Sequence, residues 1–269
     1  MRCTVCGSTN FTSREVLWPK LIADWQLSSS EVRYVNAQQG KSCDICNANL
    51  RSIALANAIR SFVGSDLLLR ELATHMTASR VTVLELNEAG SLSPILRAMP
   101  TYTFGAYPEV DMRALPYADN SFDLVVHSDT LEHVPNPISA LRECHRVLKS
   151  GGALCFTVPI IVGRMSKNRE GLPKSFHGIE TQSSDDLVVH TEFGADAWAY
   201  VLEAGFSRVE FYAVEFPAAI ALLARKSEDA YLTHRSNRSG RLRANVPDFP
   251  FSKALRAALG RLFAFGRHN

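Results

Sequence analysis

The sequence predicts an α/β protein: a mostly parallel sheet with helices on both faces, preceded by a small cysteine-rich module. Three observations carry that expectation. Short β-branched and apolar runs alternate with helix-periodic segments from about residue 51 to 226, Gly or Pro punctuates many of their joins, and four of the six cysteines stand in two Cys-x-x-Cys pairs ahead of the alternation. Strand–helix alternation yields a parallel sheet because each crossover returns the chain to the same end, and it puts a ligand at the carboxyl ends of the strands. A chain of 269 residues suffices for one large core with an appendage, and 46% hydrophobic against 21% charged residues excludes collagen-like, low-complexity and disordered classes. The longest runs free of charge, such as 151–163, fall well short of the ~20 apolar residues a membrane span needs.

The cysteine pairs are Cys3-Thr-Val-Cys6 followed by Gly7, and Cys43-Asp-Ile-Cys46 followed by Asn47. Each puts two thiolates on one tight turn, and Gly or Asn next supplies the left-handed backbone that turn favours. Four thiolates with no open position suit a structural zinc on Cys3, Cys6, Cys43 and Cys46; an iron site or a redox pair is the alternative. The start of the chain lacks the apolar stretch of a signal peptide, so a cytoplasmic location with reduced thiols is expected. The gap 7–42 exceeds that of a compact zinc ribbon, which predicts a β-rich zinc-binding module over 1–50 with an inserted segment around 18–36. So short a module buries little core without a staple, so its expected role is structural, with a contribution to the roof of a substrate cleft. Cys144 and Cys155 lie in apolar patterns and are expected in the core.

The elements follow in order. Segments 49–62 and 66–76 carry apolar residues at helical spacing. Residues 81–86 form a β-branched run, 94–99 read as helix, 102–106 as a short strand and 122–127 as a buried strand. Segment 137–148 places Ile138, Leu141, Cys144, Val147 and Leu148 on one helix face and stops at Gly151-Gly152. Residues 153–158 give the next strand, 196–204 a helix ended by Gly205, and 209–214 and 218–224 two last strands separated by Pro217.

The stretch Asp111-Met-Arg-Ala-Leu-Pro-Tyr-Ala-Asp-Asn-Ser-Phe-Asp-Leu-Val-Val-His-Ser-Asp-Thr-Leu-Glu-His-Val134, continued by Leu141-Arg-Glu-Cys-His-Arg-Val-Leu-Lys-Ser-Gly-Gly152, resembles the class I S-adenosylmethionine-dependent methyltransferases of the type 11 kind. The resemblance spans 81–226. It implies a Rossmann-like, seven-stranded, mostly parallel sheet over 51–226 with S-adenosylmethionine as cofactor. It implies Glu85 facing the methionine amino group, Asp111 accepting from the adenine amino group while the Met112 backbone reads the ring, and the His127 carbonyl at the methionine end. The family's Gly-rich turn is altered: Glu85-Leu86-Asn87-Glu88-Ala89-Gly90-Ser91 keeps only Gly90, with Asn87, Ala89 and Ser91 at glycine positions, and Asn tolerates the left-handed backbone. The segment before Asp111 is short, which leaves Glu109 as the nearest acid for the ribose hydroxyls.

Transfer from a sulfonium needs in-line positioning, and a base only where the acceptor loses a proton. Asp129 and His133 just after the 122–127 strand, and His177 in Lys174-Ser-Phe-His-Gly178, are the candidates. His177 lies in 160–190, too long for an ordinary connection and read as a lid or acceptor loop. Its Arg164, Lys167, Arg169 and Lys174 suit an acceptor carrying phosphate or carboxylate. The resulting expectation is methylation of a small-molecule or glycan acceptor, on oxygen. A non-catalytic binding or scaffold protein of the same fold and an RNA base methyltransferase are the alternatives.

Charge separates along the chain. Residues 225–269 hold ten Lys/Arg against three Asp/Glu, net +7, which leaves −5 on 1–224 within a total of +2. The negative body disfavours a nucleic-acid partner. The tail 227–269 includes an expected amphipathic helix at 252–265, suited to an anionic membrane surface, to a dimer partner or to its own domain.

Overall fold

The structure is a computed structural model that describes residues 1–176 and 185–228. His177 and the tail with its expected helix lie outside the described residues.

The head is an antiparallel pair, β1 (Phe11–Ser13) with β2 (Lys41–Cys43), Phe11 standing opposite Cys43. Between them run α1 (Pro19–Asp24) and α2 (Ser29–Gly40), so the insert is helical and the expected β-rich module reduces to one short ladder. Ser28 caps α2: its hydroxyl accepts from the Glu31 N–H, and the Glu31 carboxylate accepts from the Ser28 N–H. α3 (Leu50–Val63) starts just past the second knuckle, where the Asn49 side chain accepts from Ser52 N at 2.9 Å, and it ends at Gly64 with φ 70°. α4 (Leu69–Thr74) follows.

The chain then alternates: β3 (Val83–Leu86), α5 (Ser93–Leu96), β4 (Tyr102–Gly105), β5 (Phe122–Ser128), α6 (Pro137–Val147) and β6 (Leu148–Thr157). A side sheet of β7 (Ile160–Ile161), β8 (Lys167–Asn168) and β9 (Thr191–Gly194) comes next, then α7 (Ala197–Glu203), β10 (Arg208–Val214) and β11 (Ala219–Arg225). The central sheet has the order β10-β11-β6-β5-β3-β4. Pairs among β3 to β6 are parallel, whereas β11 pairs antiparallel with both β6 and β10, so β11 alone is reversed and β10 runs with the parallel strands. Among the described residues the sheet therefore has six strands where the resemblance implied seven. Segment 106–121, broken by Pro108 and Pro116, is too short for the crossover and strand a further parallel member needs.

Strand alternation sends side chains to two cores. On one face, Val83, Leu124, Val126, Cys155 and Leu223 pack under α3 with the apolar residues of the head. On the other, Leu84, Val125, Leu154, Phe156 and Leu222 meet α6 and α7 through Leu141, Cys144, Val147 and Val201. Each fully buried Leu or Val contributes about 1.5–3 kcal/mol. Cys144 and Cys155 are core residues, fully buried, and burial pushes both thiols up.

A third cluster seats the insert on the segment after β6: Leu21 and Trp25 against Ile161 and Val189. Arg164 locks it, with Nε 2.6 Å and Nη2 2.7 Å from the Glu31 carboxylate and Nη1 2.7 Å from the Trp25 carbonyl. Those hydrogen bonds hold the Glu31 carboxyl down at about 2. Arg169 is likewise paired with Glu192, both nearly buried. Two of the four cations expected to receive an anionic acceptor therefore serve the fold. Among the described residues, no helix is long and apolar enough to cross a membrane.

Candidate functional site

The four knuckle sulfurs lie within 4.8 Å of one another, with Cys3 to Cys46 and Cys6 to Cys43 both at 3.6 Å. A tetrahedron with Zn–S arms of about 2.3 Å needs S–S edges of about 3.8 Å, so the cluster is compatible with zinc. The turns are built for it: Gly7 (φ 88°) donates to the Cys3 carbonyl at 2.8 Å and Asn47 (φ 58°) to the Cys43 carbonyl at 2.9 Å.

β4 and β5 flank β3 on opposite sides, so the carboxyl end of β3 is the switch point of the sheet, where α/β proteins bind ligands. A cleft of about 440 Å³ opens there, within the range of small-molecule sites. Asn87, next after β3, takes φ 55°; its N–H donates to the Gly105 carbonyl at 2.8 Å and its Oδ1 accepts from Tyr107 N at 3.0 Å. Left-handed backbone costs most side chains about 1–2 kcal/mol, and Asn tolerates it. The turn shows Leu86, Asn87 and Glu88 to the cleft and binds the β3 and β4 loops together.

Glu85 does not reach this cleft. Strand parity turns it to the face of Val83, fully buried, where its carboxylate accepts from Ala89 N at 2.7 Å and from the Ser93 and Tyr102 hydroxyls. Ala89 and Gly90 shape that turn behind the cleft, and Glu109 is exposed outside it. The His127 ring points into the core: it is fully buried and stacks on Phe156 at 4.9 Å, and burial lowers it to about 4, so it is neutral, and any part of His127 in the site falls to its backbone carbonyl, as expected. The lining begins one residue later, at Ser128.

Asp111 and Met112 do line the cleft. Asp111 accepts from Arg113 Nη2 at 2.6 Å and from Arg113 N at 2.8 Å, and this pairing holds its carboxyl below the usual range. Arg146 steadies the loop beyond, donating to the Leu115 and Tyr117 carbonyls at 2.9 and 2.8 Å.

The opposite wall holds Asp129 and His133. Asp129 has φ 51°, and its Oδ2 lies 2.7 Å from Nη2 of Arg51 on α3. His133 Nδ1 is 3.1 Å from the Val188 carbonyl; a carbonyl only accepts, which puts the proton on Nδ1 and leaves Nε2 towards Glu132 Oε1 at 3.8 Å. His190 stands beside them and is lowered by burial, with His133 and Arg113 adding to the effect.

One cleft thus gathers Asn87, Asp111, Met112, Asp129 and His133, and leaves out Glu85, Ala89, Gly90, Glu109 and the His127 ring. Sequence reasoning missed Arg51, Tyr107, Arg113 and His190. Arg51 had a signal, a charge between Leu50 and Ile53 on an otherwise apolar helix start; His190 had none in its local pattern.

Residues 62–156 match the family model described as "Methyltransferase domain". The ubiquinone/menaquinone biosynthesis C-methyltransferase UbiE of Escherichia coli O1:K1 / APEC is 33% identical over 126 residues, 39% of this chain and 47% of that protein. The demethylmenaquinone methyltransferase of Staphylococcus epidermidis (strain ATCC 12228) is 55% identical over 42 residues, 16% of this chain and 17% of that protein. The match thus spans less than half the length of these curated relatives. Among solved structures, an S-adenosylmethionine dependent methyltransferase from Mesorhizobium loti is 16% identical with a TM-score of 0.33 over 54% of this chain and 91% of that one, too distant to carry an argument.

Proposed function

We propose that the protein is an S-adenosylmethionine-dependent methyltransferase acting on a small-molecule or glycan acceptor, with oxygen as the first expected target. The observation that supports this best is the switch-point cleft, formed largely by the matched stretch and lined by Asp111, Met112 and the Asn87 turn on one side and Asp129 and His133 on the other. The cofactor fits the donor set: an ionised carboxylate at Asp111 for an amino group, with the Asn87 turn and Tyr107 in the same lining. When bound, it supplies a methyl group on a sulfonium that needs no further activation. The chain's own work is to orient the acceptor and take its proton. His133 and Asp129, together on the opposite wall, are the candidates for the second task. Val134, Pro135 and Leu187 help keep water out.

The relatives named for quinone methylation make a hydroxylated ring a sound first acceptor and leave carbon against oxygen to product analysis. Incubation with methyl-¹³C cofactor and a panel of quinols, phenols and sugars tests this, because O-methyl and C-methyl carbons resonate apart. Label transfer that falls at least tenfold in His133→Asn or Asp129→Asn supports the reading; cofactor binding with no transfer to any acceptor favours a scaffold role, the reading that the withdrawal of Glu85 from the cleft speaks for. For the head we propose one structural zinc held by all four thiolates, tested by metal content.

A further inference from the structure

His190 directly precedes β9 and lines the cleft beside Leu187. Its main chain is pinned on both sides: the N–H donates to the Glu132 carbonyl at 2.7 Å, and the carbonyl accepts from Arg169 N at 2.9 Å. The residue is half-buried, yet neither ring nitrogen is sealed from solvent, and neither is hydrogen-bonded among the described residues. We propose that His190 is the catalytic base of the cleft and that it takes the proton of an acidic hydroxyl, a phenol or an enol. The proposal rests on the methyltransferase reading of the cleft and goes beyond it by choosing the base and the acceptor class.

Three observations converge. The other two bases on this wall are engaged: Asp129 Oδ2 lies 2.7 Å from Arg51 Nη2, and His133 Nδ1 lies 3.1 Å from the Val188 carbonyl. Those contacts suit them to orienting an acceptor. A base must also carry its lone pair at working pH. Burial holds His190 below its ordinary range, with His133 and Arg113 adding to the effect, so the ring is neutral at pH 7. The acids around it do not reverse this, since Asp111 is paired with Arg113, Asp129 with Arg51 and Glu192 with Arg169, Asp186 is exposed, and the Glu132 carboxylate lies towards His133. Third, base strength selects the acceptor. An imidazole at about 6.5 or below is a far closer match to a phenol at about 10 than to an alcohol near water at about 15.7. Arg113 beside His190 favours the oxyanion that a phenol develops. As the acceptor oxygen bonds the methyl carbon, the carbon–sulfur bond breaks with its electron pair on sulfur, and the hydroxyl proton passes to His190 and on to water.

The test is the pH profile of methyl-¹³C transfer to the panel of quinols, phenols and sugars, with S-adenosylhomocysteine calorimetry on the same samples. In the wild type, label should enter acceptors with an acidic hydroxyl and not sugars, and kcat should rise with pH and level off at a midpoint below about 6.5. His190→Gln should lower kcat about 100-fold with unchanged S-adenosylhomocysteine affinity and thermal unfolding, and its rate should climb with pH without levelling. His133→Asn should lower the rate and keep the levelling. Added imidazole should restore the rate of His190→Gly, which a merely structural role would not allow. An unchanged kcat in His190→Gln, a levelling that survives in it, or transfer to sugars with phenols inert would overturn the proposal and leave the methyltransferase reading standing. S-adenosylhomocysteine binding without transfer to any acceptor removes both the base and the acceptor class. Neither binding nor transfer loses the methyltransferase reading and the role of His190 with it.

Discussion

The cysteine head and the strand-end cleft obey different rules. In the head, all four donors named by spacing converge within 4.8 Å. In the cleft, Asn87, Asp111 and Met112 are among the lining residues, while Glu85, Ala89, Gly90, Glu109 and the His127 ring are not. A knuckle is a local object: its turn fixes its ligands within a handful of residues. A cleft is lined by whichever side chains strand parity and returning loops leave facing it, and a position in a motif does not settle that.

The head gives the sharpest way to break this contrast. Cys43→Ser should drop metal content far below one per chain and make 1–50 protease-sensitive, with a stability loss of about 5 kcal/mol or more, because zinc binding is folding energy in so small a module. Unchanged protease resistance would show that the head packs without metal. In the cleft, Glu85→Gln should cost about 2–4 kcal/mol in thermal or denaturant unfolding, since a buried acceptor of three hydrogen bonds is exchanged for an amide, and cofactor affinity should fall with it. If affinity falls while stability holds, Glu85 contacts the cofactor after all.

The insert offers a test by acid. Glu31 in the folded protein titrates at about 2, below its unfolded range, so its pairing with Arg164 stabilises above about pH 4.5 and is lost as pH falls towards 2. Glu31→Gln should therefore lose about 2 kcal/mol at pH 7 and show a flatter stability profile between pH 4.5 and 2. An unaltered profile would mean that the pair does not hold the insert. The smallest effect is expected at Asn87: Asn87→Val should cost about 1–2 kcal/mol for its left-handed backbone, and Asn87→Gly much less.

The alternating sheet, both cores, the knuckles and the Asn87 turn were legible because period-two patterns and turn chemistry are written over short distances. The seventh strand was an inference from family likeness, and 106–121 lacks the length for it. Glu85 and His127 were legible in principle: each lies two residues from a core member of its own strand, Val83 and Val125, and so shares its buried face. His190 reaches the cleft from 61 residues after Asp129, and Arg51 reaches Asp129 from 78 residues before it. No local spacing encodes such a contact.

The central claim, that this cleft holds the cofactor through Asp111 rather than Glu85, is tested by calorimetric titration of S-adenosylhomocysteine into wild type and Asp111→Asn. One site per chain is predicted, about tenfold weaker in the variant, with unfolding temperatures that coincide. No heat in the wild type, or equal affinity in both, would contradict it.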